Sequence, residues 1–408
     1  MPPLLALTAA LTAGLGITDA APSTSAPAPP PTKREYGVVP LVGGDTDYGI
    51  GAGYLANIAG LRPDAEPFAW RLESAGFISF KTAGDGSIVN PYQDYYVLLQ
   101  VPRFLHRRLR LDVRPSFTRE TTQHYYGVGN ASIAPPDENP SRDFYGRTHP
   151  TLLVRLRWEL RGNVFVEYGS AYTENWLDVD PQSRLAADMN GGPPDVRELL
   201  GTANQHGVLL TEASFGYDSR DSEISPEHGQ YHQVRFRGSP HLGEHLPYEY
   251  AQVNLTNRFY ATVVPERLVF AARVVVDYQF GDVPFYELPR YEDTFALGGV
   301  NGVRGIPGQR YYGRLKMFSN LELRARVAGF TIAGKPYALG AAVFTDFGRL
   351  WSDLATNPDL DGTAWGLKYG VGGGVRVQKG RTFVIRVDVA WSPDARPLGA
   401  YLTAGQAF

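Results

Sequence analysis

The sequence predicts an all-β protein that forms a single transmembrane antiparallel β-barrel of about 16 strands. From residue 35 to residue 408, short segments of alternating apolar and polar residues are separated by Gly, Pro, Asp and Asn. This is the pattern of strands and turns rather than of helices. The connections between segments alternate between short and long. After residue 21 no apolar run reaches the roughly 18 residues that a membrane-spanning helix requires.

Composition is compatible with this fold and excludes several function classes. The 408-residue chain has 39 Lys and Arg against 42 Asp and Glu, so its formal net charge is −3. That balance does not indicate a nucleic acid or another strongly charged partner. The mean hydropathy of −0.24 is typical of a soluble protein, but it also fits strands that alternate lipid-facing and water-facing side chains. The absence of Cys excludes disulfides and thiol chemistry.

The N-terminus predicts an exported protein. The segment from Leu4 to Ile17 is apolar and small, and Thr18 and Ala20 provide small residues at −3 and −1 of a cleavage site. We interpret residues 1–20 as a signal peptide, with a disordered Ala-rich tail or a misassigned start as the alternatives. Residues 21–34 are rich in Pro and Ala and form a linker. Residues 35–408 form the barrel, and we expect no soluble domain before it.

Sixteen segments show the strand pattern. In the clearest, Phe270 and Val274 share one face while Arg273 and Asp277 share the other, as expected of a strand between lipid and water. A soluble β-sandwich also alternates, so alternation alone does not identify a membrane barrel. The predicted strands are 35–43, 48–59, 68–81, 92–102, 107–118, 146–158, 163–173, 206–218, 229–239, 249–262, 267–280, 315–327, 337–348, 367–378, 381–391 and 399–408.

Connection lengths distinguish a membrane barrel from a sandwich. After odd-numbered strands several connections are long, at 119–145, 174–205 and 281–314. After even-numbered strands most are short, and 219–228 is the exception. Transmembrane barrels have short periplasmic turns and long extracellular loops. A compact soluble domain rarely contains connections of about 30 residues.

The segment from Leu297 to Ile306 contains the triplet Val303, Arg304 and Gly305. It resembles the hallmark loop of the BamA/TamA superfamily of outer-membrane assembly and polypeptide-transport barrels, also called the bacterial surface antigen family. Ile306 replaces the aromatic residue that usually follows the triplet. The resemblance implies that this loop folds into the lumen between the eleventh and twelfth strands. Our strand count places it in the same position.

A second motif extends the resemblance. The residues Phe344, Asp346 and Gly348 on the thirteenth segment are similar to the family's Phe-x-Asp-x-Gly. The resemblance implies that Asp346 receives Arg304, and alternation places Asp346 on the inner face. Glu322, on the inner face of the neighbouring strand, is a further candidate partner. The alternative is that these are generic surface charges.

Three weaker features follow the same pattern. The segments from Tyr217 to Asp221 and from Tyr126 to Asn130 are similar to turn motifs of the family. The last segment, with Tyr401, Gly405 and Phe408, ends on an aromatic residue, as an outer-membrane insertion signal does. We expect it to be a strand up to Phe408, with its end at the periplasmic interface.

No catalytic, cofactor or metal site is predicted. The eight His residues are scattered, and no Ser–His pair or metal-ligand spacing stands out. The glycine-rich stretch 370–374 shows strand alternation and is not followed by a helix pattern, so it does not predict a phosphate site. We therefore expect the protein not to be an enzyme.

The resemblance implies a function in polypeptide handling in the outer membrane of a Gram-negative bacterium. The seam between 36–43 and 400–408 is the expected site of strand addition, and glycines 37, 43, 399 and 405 lower its side-chain packing. The expected partners are outer-membrane lipids, unfolded polypeptide clients or a separate periplasmic partner, and the outer-membrane assembly machinery for the barrel's own insertion. We expect no nucleic acid partner.

We expect the protein to lack the N-terminal periplasmic (POTRA) domains of the family, so other functions stay open. One alternative is a passive channel or porin, with the 281–314 loop as its constriction. Another is a surface-interaction barrel whose loops at 119–145 and 174–205 bind outside the cell.

Overall fold

The computed structural model describes residues 33–408 except 63–64, 83–85, 103, 106–108, 138, 224, 293–294, 333–334, 380–382 and 395–397. The predicted signal peptide, residues 1–20, lies outside the described residues. So does the predicted linker, residues 21–34, apart from its last two residues. Those two residues belong to the first strand, which begins at Lys33.

Within the described residues, sixteen strands form one antiparallel sheet that closes on itself. This confirms the predicted barrel. A two-residue strand, Ile88–Val89, pairs with Lys81 and Thr82 and is not one of the sixteen barrel strands. The barrel strands are β1 Lys33–Asp45, β2 Gly49–Arg62, β3 Ala65–Thr82, β4 Tyr92–Val101, β5 Leu109–His124, β6 Phe144–Glu159, β7 Val164–Asp178, β8 His206–Asp218, β9 Gly229–Ser239, β10 Tyr250–Val264, β11 Leu268–Gly281, β12 Leu315–Ile332, β13 Lys335–Trp351, β14 Lys368–Lys379, β15 Phe383–Trp391 and β16 Gly399–Ala404.

Side-chain alternation divides each strand between the outer surface and the lumen. On β11, Arg273, Asp277 and Gln279 are buried inside, whereas Val274 and Phe280 are exposed outside. The polar face therefore points inward, opposite to the arrangement in a soluble sandwich. This orientation is what a bilayer requires of a barrel.

The two ends of the barrel differ, as the connection lengths predict. We call the end reached by the odd-numbered strands the loop end and the opposite end the turn end. The loop end carries four short α-helices and a 3₁₀ turn, whereas the turn end carries short connections except for 219–228. No helix in the described part of the chain is long and apolar enough to cross a bilayer. The helices are α1 Pro140–Asp143, α2 Arg184–Gly191, α3 Pro194–Leu200 and α4 Pro358–Asp361, and the 3₁₀ turn is Phe285–Glu287.

The long loops pack together over the loop end. Ser183 caps α2 by accepting a hydrogen bond from the backbone N–H of Ala186 at 3.1 Å, which satisfies one of the free donors of the first turn. The buried apolar side chains that hold these loops together include Tyr125, Leu185, Val196, Leu200, Tyr248, Phe285 and Tyr312. This cluster covers the lumen from the loop end.

Four predicted strand ends are wrong by four residues or more. β5 continues to His124 instead of stopping at 118, and β7 continues to Asp178 instead of stopping at 173. β12 continues to Ile332 instead of stopping at 327. β16 ends at Ala404 instead of Phe408, because Gly405 has φ +86° and turns the chain out of the sheet. The last four residues are therefore not part of the barrel wall.

The seam between β1 and β16 is the shortest junction of the barrel. Gly44 lies opposite Leu402, and Asp45 lies opposite Tyr401, at the loop end of β1. By contrast, β1 pairs with β2 along its whole length. Towards the turn end, β1 from Lys33 to Gly43 has no paired neighbour on the β16 side among the described residues. The seam is thus closed at one end and unpaired towards the other.

Candidate functional site in the barrel lumen

The loop between β11 and β12 enters the lumen and places Arg304 against Asp346 of β13. The Arg304 side chain is fully buried. Its Nε donates to Asp346 Oδ2 at 2.7 Å and its Nη2 donates to Asp346 Oδ1 at 2.9 Å. The backbone N–H of Arg304 also donates to Asp346 Oδ2, at 3.1 Å. This fork fixes both the position and the orientation of the loop.

Two more carboxylates and an aromatic ring complete the surroundings of Arg304. Its Nη1 lies 2.5 Å from Glu322 Oε1 on β12 and 3.3 Å from Asp388 Oδ2 on β15. The ring centroid of Phe344 lies 3.4 Å from its Cζ. Burial alone would lower the pKa of Arg304, but these carboxylates outweigh it and raise the pKa. The guanidinium therefore stays charged.

The carboxylates are shared with other cations of the wall. Arg324 Nε lies 2.7 Å from Glu322 Oε2, while Arg376 and Arg386 both pair with Asp388. Positive and negative groups therefore alternate from β12 to β15. A buried network of this kind is costly to break, because removing one member leaves others unpaired.

Glycines on β13 and β14 allow the loop to approach the wall. A Cβ added at Gly370 would stand 1.9 Å from the carbonyl oxygen of Arg304. A Cβ at Gly348 would stand 2.5 Å from Cδ1 of Leu297. Gly348 was predicted from its motif, whereas Gly370 belongs to a stretch that we interpreted only as strand. Because Gly370 has no side chain, the backbone of the loop can approach β14.

Ile306, the loop residue that departs from the family pattern, is fully buried. It belongs to an apolar cluster formed by the loop and the inner wall. This cluster comprises Val275, Tyr291, Leu297, Val303, Ile306, Tyr311, Phe318 and Leu350. An aliphatic residue at 306 therefore fills a packed site in place of an aromatic one.

The same loop also touches both sides of the seam. The backbone N–H of Gly305 donates to the hydroxyl of Tyr401 on β16 at 2.9 Å. The backbone N–H of Gly308 donates to Asp47 Oδ2, in the turn after β1, at 2.6 Å. The loop is therefore anchored in the wall and linked to each strand of the seam.

The predicted C-terminal signal is arranged differently from our expectation. Tyr401 points inward to the loop and is buried. Gly405 turns the chain into the lumen, where Phe408 is 8% exposed. The expectation that the last strand extends to Phe408 is therefore wrong.

The two weaker motifs lie at opposite ends of the barrel. Arg220 Nη2 and Asp218 Oδ2 form an ion pair at 2.7 Å at the turn end. At the loop end, the N–H of Gly129 donates to the carbonyl oxygen of Tyr312 at 2.8 Å. The amide nitrogen of Asn130 donates to the carbonyl oxygen of Gly366 at 2.8 Å. Both motifs fix connections and contribute nothing to the Arg304 network.

A cavity of about 440 Å³ lies between the loop and the wall on the β1 side. Arg114, Glu120 and His149 line it. The cavity extends to the seam, where Gly43 and Leu402 line it. No group of His, Asp or Glu side chains suited to a metal ion occurs in the described ranges. The arrangement can therefore hold a peptide segment or water beside the seam.

Comparison with known proteins shows the family and the fold. A family model described as the Omp85 superfamily domain matches residues 83–408. The structure of BamA from Haemophilus ducreyi lacking POTRA domains 1–3 is similar with a TM-score of 0.59 and 14% identity, covering 91% of this chain and 70% of that chain. CdiB from Escherichia coli gives 0.56 and 12%, covering 90% of this chain and 62% of that chain. A search of curated protein sequences finds no match.

Proposed function

The chain belongs to the Omp85 superfamily, and from this premise we propose that it aids the insertion of polypeptides into, or their passage across, the outer membrane of a Gram-negative bacterium. The similarity of its fold to BamA and CdiB supports a barrel of the assembly and translocation type. The observation that carries the proposal is the seam, whose strands are paired only at Gly44 and Asp45 of β1.

The unpaired part of β1 offers an edge to an incoming strand. Between Lys33 and Gly43 no described residue of β1 is paired with a strand on the β16 side. Such an edge is a template for strand addition. Each net backbone hydrogen bond contributes about 0.5–1.5 kcal/mol, so opening the short paired part costs little compared with what a full strand gains.

The direction of the opening fits a client that arrives from the periplasm. The turn end corresponds to the periplasmic side of a barrel with long extracellular loops. The unpaired part of the seam faces that end. At the other end, the loop cluster and the Arg304 loop obstruct the lumen. A client would therefore meet the seam before it meets the extracellular loops.

The partners follow from this proposal. Outer-membrane lipids surround the apolar outer face, and unfolded polypeptides or a separate periplasmic partner reach the seam from the turn end. The assembly machinery of the outer membrane inserts the barrel itself. We assign the protein no catalytic role.

A passive channel is the second candidate. It is favoured by the cavity of about 440 Å³, which is lined by charged side chains such as Arg114 and Glu120. In that case the 281–314 loop would restrict the lumen instead of positioning the seam.

Reconstitution distinguishes the two candidates. Purified barrel in liposomes should accelerate the folding of an added unfolded outer-membrane protein without large steady conductance. Asp45 and Tyr401 lie directly opposite each other, and the chain has no native Cys, so the variant with Asp45→Cys and Tyr401→Cys can be locked by oxidation. The reduced form of the same variant is the matched control.

The locked form should lose the acceleration and regain it on reduction. Equal acceleration by the locked and reduced forms would contradict a role for the seam. Steady conductance without acceleration would favour the channel.

A further inference from the structure

Residues 405–408, which we call the tail, cross the turn end of the lumen to the opposite wall. The positive φ of Gly405 starts this path. Gln406 Nε2 reaches Ser225 Oγ at 3.5 Å, in the 219–228 turn that is longer than its neighbours. Phe408 packs against Tyr260 of β10, with ring centroids 6.2 Å apart. The tail therefore leaves β16 and docks on a distant part of the barrel.

Two guanidinium groups clamp the end of the tail. The Cζ atoms of Arg273 on β11 and Arg324 on β12 each lie 4.9 Å from the ring centroid of Phe408. Arg273 Nη1 donates to the carbonyl oxygen of Ala407 at 3.3 Å, and Arg324 Nη2 donates to the oxygen of Phe408 at 3.2 Å. The two guanidinium groups therefore bind the ring by cation–π contacts and the two main-chain oxygens by hydrogen bonds.

We call Tyr260, Arg273 and Arg324 the clamp. The tail does not provide hydrogen-bond partners for all of its polar groups. Nη1 of Arg324 and the hydroxyl of Tyr260 are buried and have no hydrogen-bond partner among the described residues. On the tail, the side-chain oxygen of Gln406 is also buried and has no hydrogen-bond partner among the described residues. Arg324 and Tyr260 are more than nine-tenths buried. Buried donors without acceptors favour a ligand that supplies more acceptors than the tail does.

The clamp is also linked to the loop in the lumen. Arg273 Nη2 donates to the carbonyl oxygen of Asn301 at 2.5 Å and to Asn320 Oδ1 at 2.7 Å. Asn320 Nδ2 in turn donates to the carbonyl oxygen of Gly302 at 2.8 Å. Arg273 therefore holds both the tail and the tip of the loop that reaches the seam.

We propose that Tyr260, Arg273 and Arg324 form an exchangeable binding site for a polypeptide segment that carries a phenylalanine, and that the tail occupies this site in cis. The inference rests on the proposed function, because it names a feature by which a polypeptide client is held. A segment that displaces the tail releases residues 405–408 from the clamp. The end of β16, to which they are joined, is then no longer held by them. Binding at the clamp is then coupled to the seam.

A binding experiment tests the site directly. The probe is a fluorescent peptide with the sequence of residues 399–408, titrated with the folded barrel in detergent and followed by anisotropy. The Phe408→Ala barrel, whose own ring is removed, should bind the peptide about tenfold more tightly than the unaltered barrel does. Adding Arg324→Gln should remove that gain. Equal or undetectable binding by the Phe408→Ala and unaltered barrels would overturn the proposal.

A second measurement keeps the proposal testable if Phe408→Ala does not fold. Ala407 is buried and the chain has no native Cys, so Ala407→Cys reports whether the tail is docked. Excess peptide should raise its maleimide labelling rate about tenfold. A peptide with Ala in place of its Phe should not. Ser79→Cys, buried on β3, is the control for general loosening, and an unchanged rate at Ala407→Cys would refute exchange.

The two proposals fail in different ways. If peptide binding is present but the liposomes show no acceleration of folding, the proposed function fails and the binding site stands. If acceleration is present but no peptide binds or displaces the tail, the site fails and the proposed function stands.

Discussion

The wall from β12 to β15 and the seam between β1 and β16 lie side by side and are held together very differently. In the wall, neighbouring strands pair along their length and a buried network joins Arg304 to Glu322, Asp346 and Asp388. At the seam, backbone pairing is confined to one end. The barrel therefore combines a strongly fixed wall with a weak junction.

The loop in the lumen connects these two regions. Its Arg304 is anchored in the wall, while Gly305 and Gly308 donate single hydrogen bonds to Tyr401 and Asp47 on the two sides of the seam. The seam's geometry therefore depends on the wall, through a loop whose anchor is far stronger than its contacts with the seam. Perturbations of the anchor should therefore exceed perturbations of the seam contacts.

The largest effect is expected from Arg304→Ala or Asp346→Ala. Either change leaves buried charges unpaired, which costs about 3–5 kcal/mol of unfolding free energy. Urea unfolding of the folded barrel, read by heat-modifiable gel mobility, measures it, and protease protection of the loop should be lost. Asp353→Ala is the matched control, because that carboxylate pairs with Arg314 at a side-chain exposure of 43%. Equal stability of Asp346→Ala and Asp353→Ala would mean that the wall is not anchored by this network.

A smaller loss is expected from Gly370→Ala. The added methyl group would collide with the carbonyl oxygen of Arg304, and such overpacking costs about 1–3 kcal/mol. The same unfolding experiment measures it. The control is Gly238→Ala on β9, where the nearest atom to an added Cβ is 3.7 Å away. If both substitutions have the same effect, the loop does not lie against β14 as described.

The smallest effect is expected from Tyr401→Phe at the seam. It removes one neutral hydrogen bond, from the Gly305 N–H to the hydroxyl, whose net contribution is about 0.5–1.5 kcal/mol. Hydrogen exchange should become faster in β16 while β13 is unchanged. Tyr168→Phe, at an exposed site on β7, is the control. Faster exchange in β13 as well would show that the wall and the seam are not separable.

Much of the wall was predictable from sequence, and the reason is local. Strand alternation and connection lengths identify the barrel, since both are repeated along the whole chain. The resemblance directed attention to Arg304, Asp346 and Glu322 because these residues lie in short recognisable segments. The structure brings these three side chains together.

The tail and the remaining members of the network were missed because they depend on register across strands. Asp388 lies on the inner face of β15, and only the stagger of β12 to β15 brings it to Arg304. Glycine is common both in strands and in turns, so the positive φ of Gly405 has no sequence signature. The contact of Arg324 with Phe408 joins residues 84 positions apart, which no local pattern indicates.

Site-specific photocrosslinking tests the central claim, that the seam receives the client, most directly. A photoreactive residue is placed either at Val38 of β1 or at Val387 of β15, both of which are exposed on the outer face, and an unfolded outer-membrane client is added to the barrel in liposomes. Crosslinks to the client are expected from position 38 and none from position 387. Equal crosslinking from both positions, or crosslinking only from position 387, would contradict it.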